Sequence, residues 1–291
     1  MTSKKGKIAL ILACFAACAM GSVDASSGSN APPNPVGIAG RNGFPANRWA
    51  LLADFGFNGS SINSKHWVQN WEGDTPRSIT HGFQPIYDQN CFNPNNDFLA
   101  GGILTLEARS ESCIDADKIH YRYSGGMISS SVSGTYSYGY FEARILFPGG
   151  KCVSGDTPPK QASCIFNHPA FWLTSANVDS GRNTVEIDIA EGLQGKICEL
   201  IHLSNAPEYH DPNTMNCSTV GVPTWHVYGA LWSPGMVRFY LDGNLVYTRQ
   251  TPPQFKNPVY IIINNAVPTK WQPIVPAGLE VAYVRVWKVI P

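Results

Sequence analysis

An all-β sandwich or jelly roll is the fold class this sequence predicts. Short runs that read as strands recur along the chain. Turn residues interrupt them often, with 22 Pro and 27 Gly among 291 residues. Almost no segment sustains the 3.6-residue periodicity of an amphipathic helix.

The elements follow in order. Residues 103–108 (ILTLEA) and 138–147 (YGYFEARILF) are the first clear strands. Residues 170–174, 185–190, 225–232, 237–241, 259–264 and 279–289 read the same way. Asp242-Gly243, followed by Asn244, separates two such runs and predicts a tight hairpin turn. No internal repeat or second change of composition divides the remainder, so residues 46–291 are read as one domain.

The N-terminus reads as an export signal over residues 1–25. Lys4, Lys5 and Lys7 precede a short apolar run, 8–19, and Val23-Asp24-Ala25 offers a small-residue cleavage site. The run is short for a membrane span, so no transmembrane anchor is expected. A secreted or periplasmic location follows, with a lipoprotein as the minority alternative because Cys14 and Cys18 each follow a loosely lipobox-like triplet. Residues 26–45, beginning SSGSNAPPNP, read as a flexible tether. Of eight cysteines, two lie in the signal; Cys91, Cys113, Cys152, Cys164, Cys198 and Cys217 remain. In an exported protein these predict disulfides, and pairing of sequence neighbours would close three loops of modest length. A zinc site is the rival, weakened because no CxxC pair is present.

Charge narrows the function. The 21 acids balance the 21 bases. Such a chain carries no basic footprint for nucleic acid. A neutral polymer suits it better, and a monomer is expected.

The chemistry concentrates in Val185–Gly192 (VEIDIAEG). Glu186 and Asp188 alternate with Ile187 and Ile189, but Glu191 arrives one residue late. Acids often simply line a solvated face, and a calcium-binding lectin is a second reading. A purely acidic cluster is unusual on a solvated strand, because like charges repel. A bulge at Ile189-Ala190 would return Glu191 to the face of the other two acids. The glutamates would then be separated by roughly 13 Å of backbone, four steps of about 3.3 Å. Leaning inward, their carboxyl groups could approach the ~5–5.5 Å separation of a retaining glycosidase. Crowded acids also raise one another's pKa, supplying one protonated acid beside one ionised nucleophile.

These residues resemble the signature of glycoside hydrolase family 16 in its bulged, laminarinase-like form, E-I-D-I-x-E. The surroundings agree in order: Tyr138–Arg144 is similar to YGxFEAR, Pro169–Leu173 to PAFWL, and His226, Tyr228 and Trp232 to HxY…W. Phe239–Gly243 resembles the YxDG hairpin, Ile261–Asn264 the strand after it, and Tyr283–Trp287 the closing YVRV strand. The resemblance implies a concanavalin A-like jelly roll of two curved antiparallel sheets, with an open groove for polysaccharide. It implies retaining endo-cleavage with Glu186 as nucleophile, Glu191 as acid/base and Asp188 assisting. Trp172 would stack against sugar, with His202, Asn264 and Trp271 as further substrate-binding residues. No metal or organic cofactor is implied for the chemistry. The Asp that holds a structural calcium in the family is Ala282 here, so that site is expected to be weak or absent.

Departures bear on the substrate. His168 replaces the first Trp of W-P-A-F-W, Gly192 replaces an aromatic, Leu203 replaces a Trp, and Pro268-Thr269 replaces a Gly pair. Fewer aromatic platforms reduce stacking on a flat glucan face. A β-1,3- or β-1,3-1,4-glucan remains the first expectation. A galactan or exopolysaccharide hydrolase, a transglycosylase, and a non-catalytic carbohydrate-binding protein are the alternatives; retention of both glutamates weighs against the last.

Overall fold

The structure, a computed structural model, describes residues 34–36, 49–71, 77–83, 85–152, 163–175, 184–204 and 215–290. The export signal and most of the tether lie outside the described residues. Asn34–Val36 fall within the span read as a tether, and here the chain is docked. Pro35 is buried, and the Val36 N–H donates to Glu142 Oε2 at 3.0 Å.

Two sheets form the sandwich. One runs in the order Asn244–Gln250, Met236–Leu241, Trp225–Ser233, Gly139–Leu146, Ala277–Val289, Ile103–Ala108, Asp97–Ala100, with Trp49–Gly56 also pairing to Ala277–Val289. The other runs Asn216–Ser218, Lys196–Leu203, Val185–Leu193, His168–Ser175, Val259–Ala266, Tyr123–Ser129, Asn90–Phe92. Pairing is antiparallel throughout these sheets, except between Asn90–Phe92 and Tyr123–Ser129. Sequence-adjacent hairpins, such as Trp225–Ser233 beside Met236–Leu241, alternate in the sheets with pairings of distant segments, such as Gly139–Leu146 beside Ala277–Val289, as expected of a jelly roll.

Local chemistry explains each element. Ile103–Ala108 alternates between buried and half-buried residues, the pattern of a strand with one face in the core. Val259–Ala266 is buried at every position, so its apolar run is continuous rather than alternating. Asp242 and Gly243 adopt φ of 49° and 75° between paired Leu241 and Asn244. Those left-handed angles match the twist of the flanking strands, and Gly accepts them without a Cβ clash.

The core between the sheets includes Phe141, Phe171, Ile187, Ile189, Ile201, Phe239 and Ile263. A second cluster, with Phe92, Met127, Trp172, Tyr260 and Ile262, covers the other face of the seven-stranded sheet. Cys91–Cys113, Cys152–Cys164 and Cys198–Cys217 form disulfides, as neighbour pairing predicted, across separations of 22, 12 and 19 residues. Loops of that length stabilise a fold by about 3 kcal/mol each, chiefly by restricting the unfolded chain.

Glu199 is an unusual core member. It is buried, accepts from Asn216 Nδ2 at 2.7 Å, and burial pushes its carboxyl up to about 7. The fold therefore favours its protonated form. That contribution is complete below the ordinary value near 4.5 and is lost as pH rises through about 7. Wild-type stability is expected to fall between pH 5 and 8, and Glu199→Gln to lose about 3 kcal/mol less over that window. Urea unfolding at the two pH values measures it. Equal losses in both proteins would place the pH dependence elsewhere.

Candidate active site

The acidic strand Val185–Leu193 lies between His168–Ser175 and Lys196–Leu203. Its register contains the bulge. Asp188 pairs with Leu200 and Glu191 with Cys198, so Ile189 and Ala190 together oppose Glu199. On the other side, Asp188 pairs with Trp172 and Ala190 with Phe171, and Ile189 has no partner. Ile187, Ile189 and Ala190 all pack into the core between the sheets. Both residues of the bulge point inward, and Glu191 rejoins Glu186 and Asp188 on the outer face.

The three carboxylates feel one another there. Burial first, and then the charge of Glu191, raises the Glu186 carboxyl to about 8. Asp188 is raised well above its ordinary value by burial, then by Glu186 and Glu191. The cluster thus retains a proton at neutral pH, and the proton is shared among acids rather than owned by one. His202, paired with Glu186 on the neighbouring strand, places Nε2 3.6 Å from Glu186 Oε1 and 3.5 Å from Asp188 Oδ2. Ligand atoms of Glu186, Asp188 and His202 lie within 4.8 Å of one another. That set has the donor chemistry for a divalent cation. Ala282 lies at a register shift between Val281 and Tyr283 and has no side-chain oxygen.

The other end of the cluster holds a residue that the sequence reading did not assign. His168 contacts Glu191 Oε1 through Nε2 at 2.8 Å and Asp88 Oδ1 through Nδ1 at 2.8 Å. Burial lowers the imidazole's proton affinity, but the charge and hydrogen bond of Asp88, joined by those of Glu191, outweigh it and push His168 up to about 10. It is therefore an imidazolium at neutral pH. The signal available in the sequence was the replacement of the expected Trp by His; its partner Asp88 lies 80 residues earlier and gives no local sign.

The aromatic residues named as sugar platforms are packed among others. Trp172 is only 7% exposed, because Trp71 and Phe83 pack on it with centroids at 6.4 and 5.9 Å. Asn264 is 1% exposed, and its polar groups are spent within the protein. Its Oδ1 accepts from Trp172 Nε1 at 2.8 Å, and its Nδ2 donates to the His168 carbonyl at 3.3 Å. Asn264 thus orients the Trp172 ring. Half-buried Trp71, stacked on His81 at 5.5 Å, presents the more accessible indole. Trp271, also half-buried, stands edge-on to His168 at 5.8 Å and donates to the Asn167 carbonyl. Gly192 has a structural reason: a Cβ there would lie 2.7 Å from Pro169 Cδ and 2.9 Å from Ile165 Cγ2, leaving no room for the family's aromatic.

Known proteins share this architecture and sequence. The profile of glycosyl hydrolases family 16 matches residues 81–272. The endo-1,3-1,4-beta-glycanase ExsH of Rhizobium meliloti is 28% identical over 224 residues, covering 72% of this chain and 43% of that protein. The beta-glucanase of Rhodothermus marinus is 27% identical over 221 residues, covering 66% of this chain and 70% of its own. The chain thus spans less than half the length of the first of these relatives. Among solved structures, the endo-beta-1,3-glucanase from Pyrococcus furiosus superposes with a TM-score of 0.66 at 25% identity, over 83% of this chain and 95% of that one.

Proposed function

The chain belongs to the glycosyl hydrolases of family 16, and from that premise we propose that it is a retaining endo-β-glycanase acting on β-1,3- or mixed-linkage β-1,3-1,4-glucan. The observation that carries the reading is the bulge, which puts Glu186, Asp188 and Glu191 on one face while its own two residues enter the core. The substrate class follows the glucanase names of the relatives at 27–28% identity.

The chemistry runs in two steps. Glu191 protonates the leaving glycosidic oxygen while the Glu186 carboxylate attacks the anomeric carbon, and the C–O bond breaks. Glu191 then removes a proton from water as that water displaces Glu186, which returns as a carboxylate. Asp188, with its raised proton affinity, holds a proton beside Glu186 and restrains charge in the cluster. Substrate rings contact Trp71 and Trp271, and Trp172 packs edge-on against the first of these.

Secretion as a monomer completes the proposal. The three disulfides support an oxidising compartment. No helix among the described residues is long and apolar enough to cross a membrane.

A reducing-sugar assay on laminarin, lichenan, agarose, carrageenan and a bacterial exopolysaccharide tests the reading. Release of oligosaccharides from laminarin or lichenan, with the β configuration retained at early times by proton NMR, is the expected result. Cleavage confined to a galactan would overturn the substrate class, and an initial α product would overturn the mechanism.

A further inference from the structure

We propose that His168, clamped by Asp88, is a positioning residue for Glu191: it holds Oε1 and stabilises the negative charge Glu191 acquires as its proton passes to the leaving oxygen. This rests on the reading of Glu191 as the acid/base.

The imidazole is held through both nitrogens and flanked by two rings. Its Nδ1 reaches Asp88 Oδ1 and its Nε2 reaches Glu191 Oε1, both at 2.8 Å. Trp271 stands edge-on at 5.8 Å and Phe83 lies at 6.3 Å. Asp88 is itself held in place by the chain around it. It bridges to Pro268, Gln89 N–H donates to the Val267 carbonyl, and Gln89 Nε2 donates to the Pro268 carbonyl at 2.7 Å. The Pro268-Thr269 turn, one of the departures from the family pattern, is therefore part of what presents Asp88 to His168.

The proton inventory gives this arrangement a direction. A neutral imidazole donates from one nitrogen only, and Asp88, as a carboxylate, requires that donor at Nδ1. The charge and hydrogen bond of Asp88, the largest causes that raise the proton affinity of His168, favour a second donor at Nε2 even when Glu191 carries its proton, and that nitrogen lies 2.8 Å from Glu191 Oε1. Oε1 is then engaged, and Oε2 has no hydrogen bond among the described residues. The catalytic proton belongs on Oε2. When it moves to the glycosidic oxygen, Glu191 becomes a carboxylate, and the Nε2–H···Oε1 bond changes from a bond to a neutral acid into a charge-assisted one. Such bonds are roughly twice as strong. The interaction strengthens in the transition state, which is the condition for it to accelerate the step. His168 keeps both of its protons throughout, so the proton count is unchanged.

Among the described residues, four other charged or titratable groups bear on this pair. Glu186 and Asp188 lie on the same strand as Glu191, and His202 on the next strand faces those two acids. Lys270 sits over the Tyr87 ring at 4.8 Å, on the loops that carry Asp88 and Trp271. Among these, His168 is the cation in contact with Glu191. A Trp at this position, as in the family pattern, carries no charge to offer.

The test compares leaving groups. Lichenan needs a proton donated to its departing oxygen, whereas a 2,4-dinitrophenyl β-glycoside of a matching disaccharide departs without one. His168→Gln and Asp88→Asn are assayed on both, with kcat/KM reporting the first irreversible step. Both variants are expected to lose about 10- to 100-fold on lichenan, and less than about threefold on the dinitrophenyl glycoside. Asp88→Asn retains the imidazole and serves if His168→Gln does not fold. Equal losses on the two substrates, or no loss on either, would overturn the inference. Wild-type cleavage of lichenan and its loss in Glu191→Gln are measured first. Failure there would strike the proposed function and not this role of His168.

Discussion

Glu186→Ala is expected to lower kcat on glucan at least about 10³-fold while leaving the fold intact, because it removes the atom that bonds to the sugar. Glu191→Ala is expected to cost about 10²–10⁴-fold, the range of a lost general acid. Added azide separates the two roles. In Glu186→Ala, with a dinitrophenyl glycoside as substrate, azide attacks the face that Glu186 has vacated and gives the α-glycosyl azide. In Glu191→Ala, azide attacks the glycosyl-enzyme in place of water and gives the β-glycosyl azide. NMR of the products reads the difference directly. A β product from Glu186→Ala would exchange the assignments. The half-buried setting of Glu186 and Glu191 favours clean substitutions, since neither side chain fills the sandwich core.

The second large effect concerns the bulge. Strict alternation would place the third acid at position 190, so the double variant Ala190→Glu, Glu191→Ala writes the pattern of a regular strand. Ala190 is fully buried among core residues. The transposed carboxylate would enter the sandwich without a partner, at an expected cost of more than about 4 kcal/mol, and the outer face would lose its acid. Deleting Ala190 has the opposite consequence. The ladder then becomes regular, with Ile189 alone facing Glu199 and Glu191 still opposite Cys198, so the fold and the three-acid face are retained. Urea unfolding and activity on lichenan distinguish the two variants. A transposed protein as stable and active as wild type would show that the carboxylate at 190 reaches the groove, and that the bulge does not determine the face.

Much of this protein was legible from local spacing. The late arrival of Glu191 identified the bulge, because side-chain direction in a strand has a period of two and one extra residue is all that restores it. Asp242-Gly243 identified its hairpin, because few residues accept positive φ at both turn positions. The neighbouring cysteines paired as their short loops suggested. In each case the physical constraint acts over a short stretch of chain, and the residue types record it.

Only tertiary structure decided the surroundings of the acids. Asp88 reaches His168 across 80 residues, and Asn264 reaches Trp172 across 92. Neither pair leaves a periodic trace. Trp172 reads from its motif as a sugar platform, with a core aromatic as the alternative, and Trp71 and Phe83 pack against it, because what lies over a strand residue on the outer face depends on which distant loop reaches it. The sequence by itself determined which face of the strand carries the carboxylates. The fold determined what they touch, since hydrogen-bond and packing partners in a jelly roll are set by long-range pairing, and a side chain carries no local record of the neighbour it will meet.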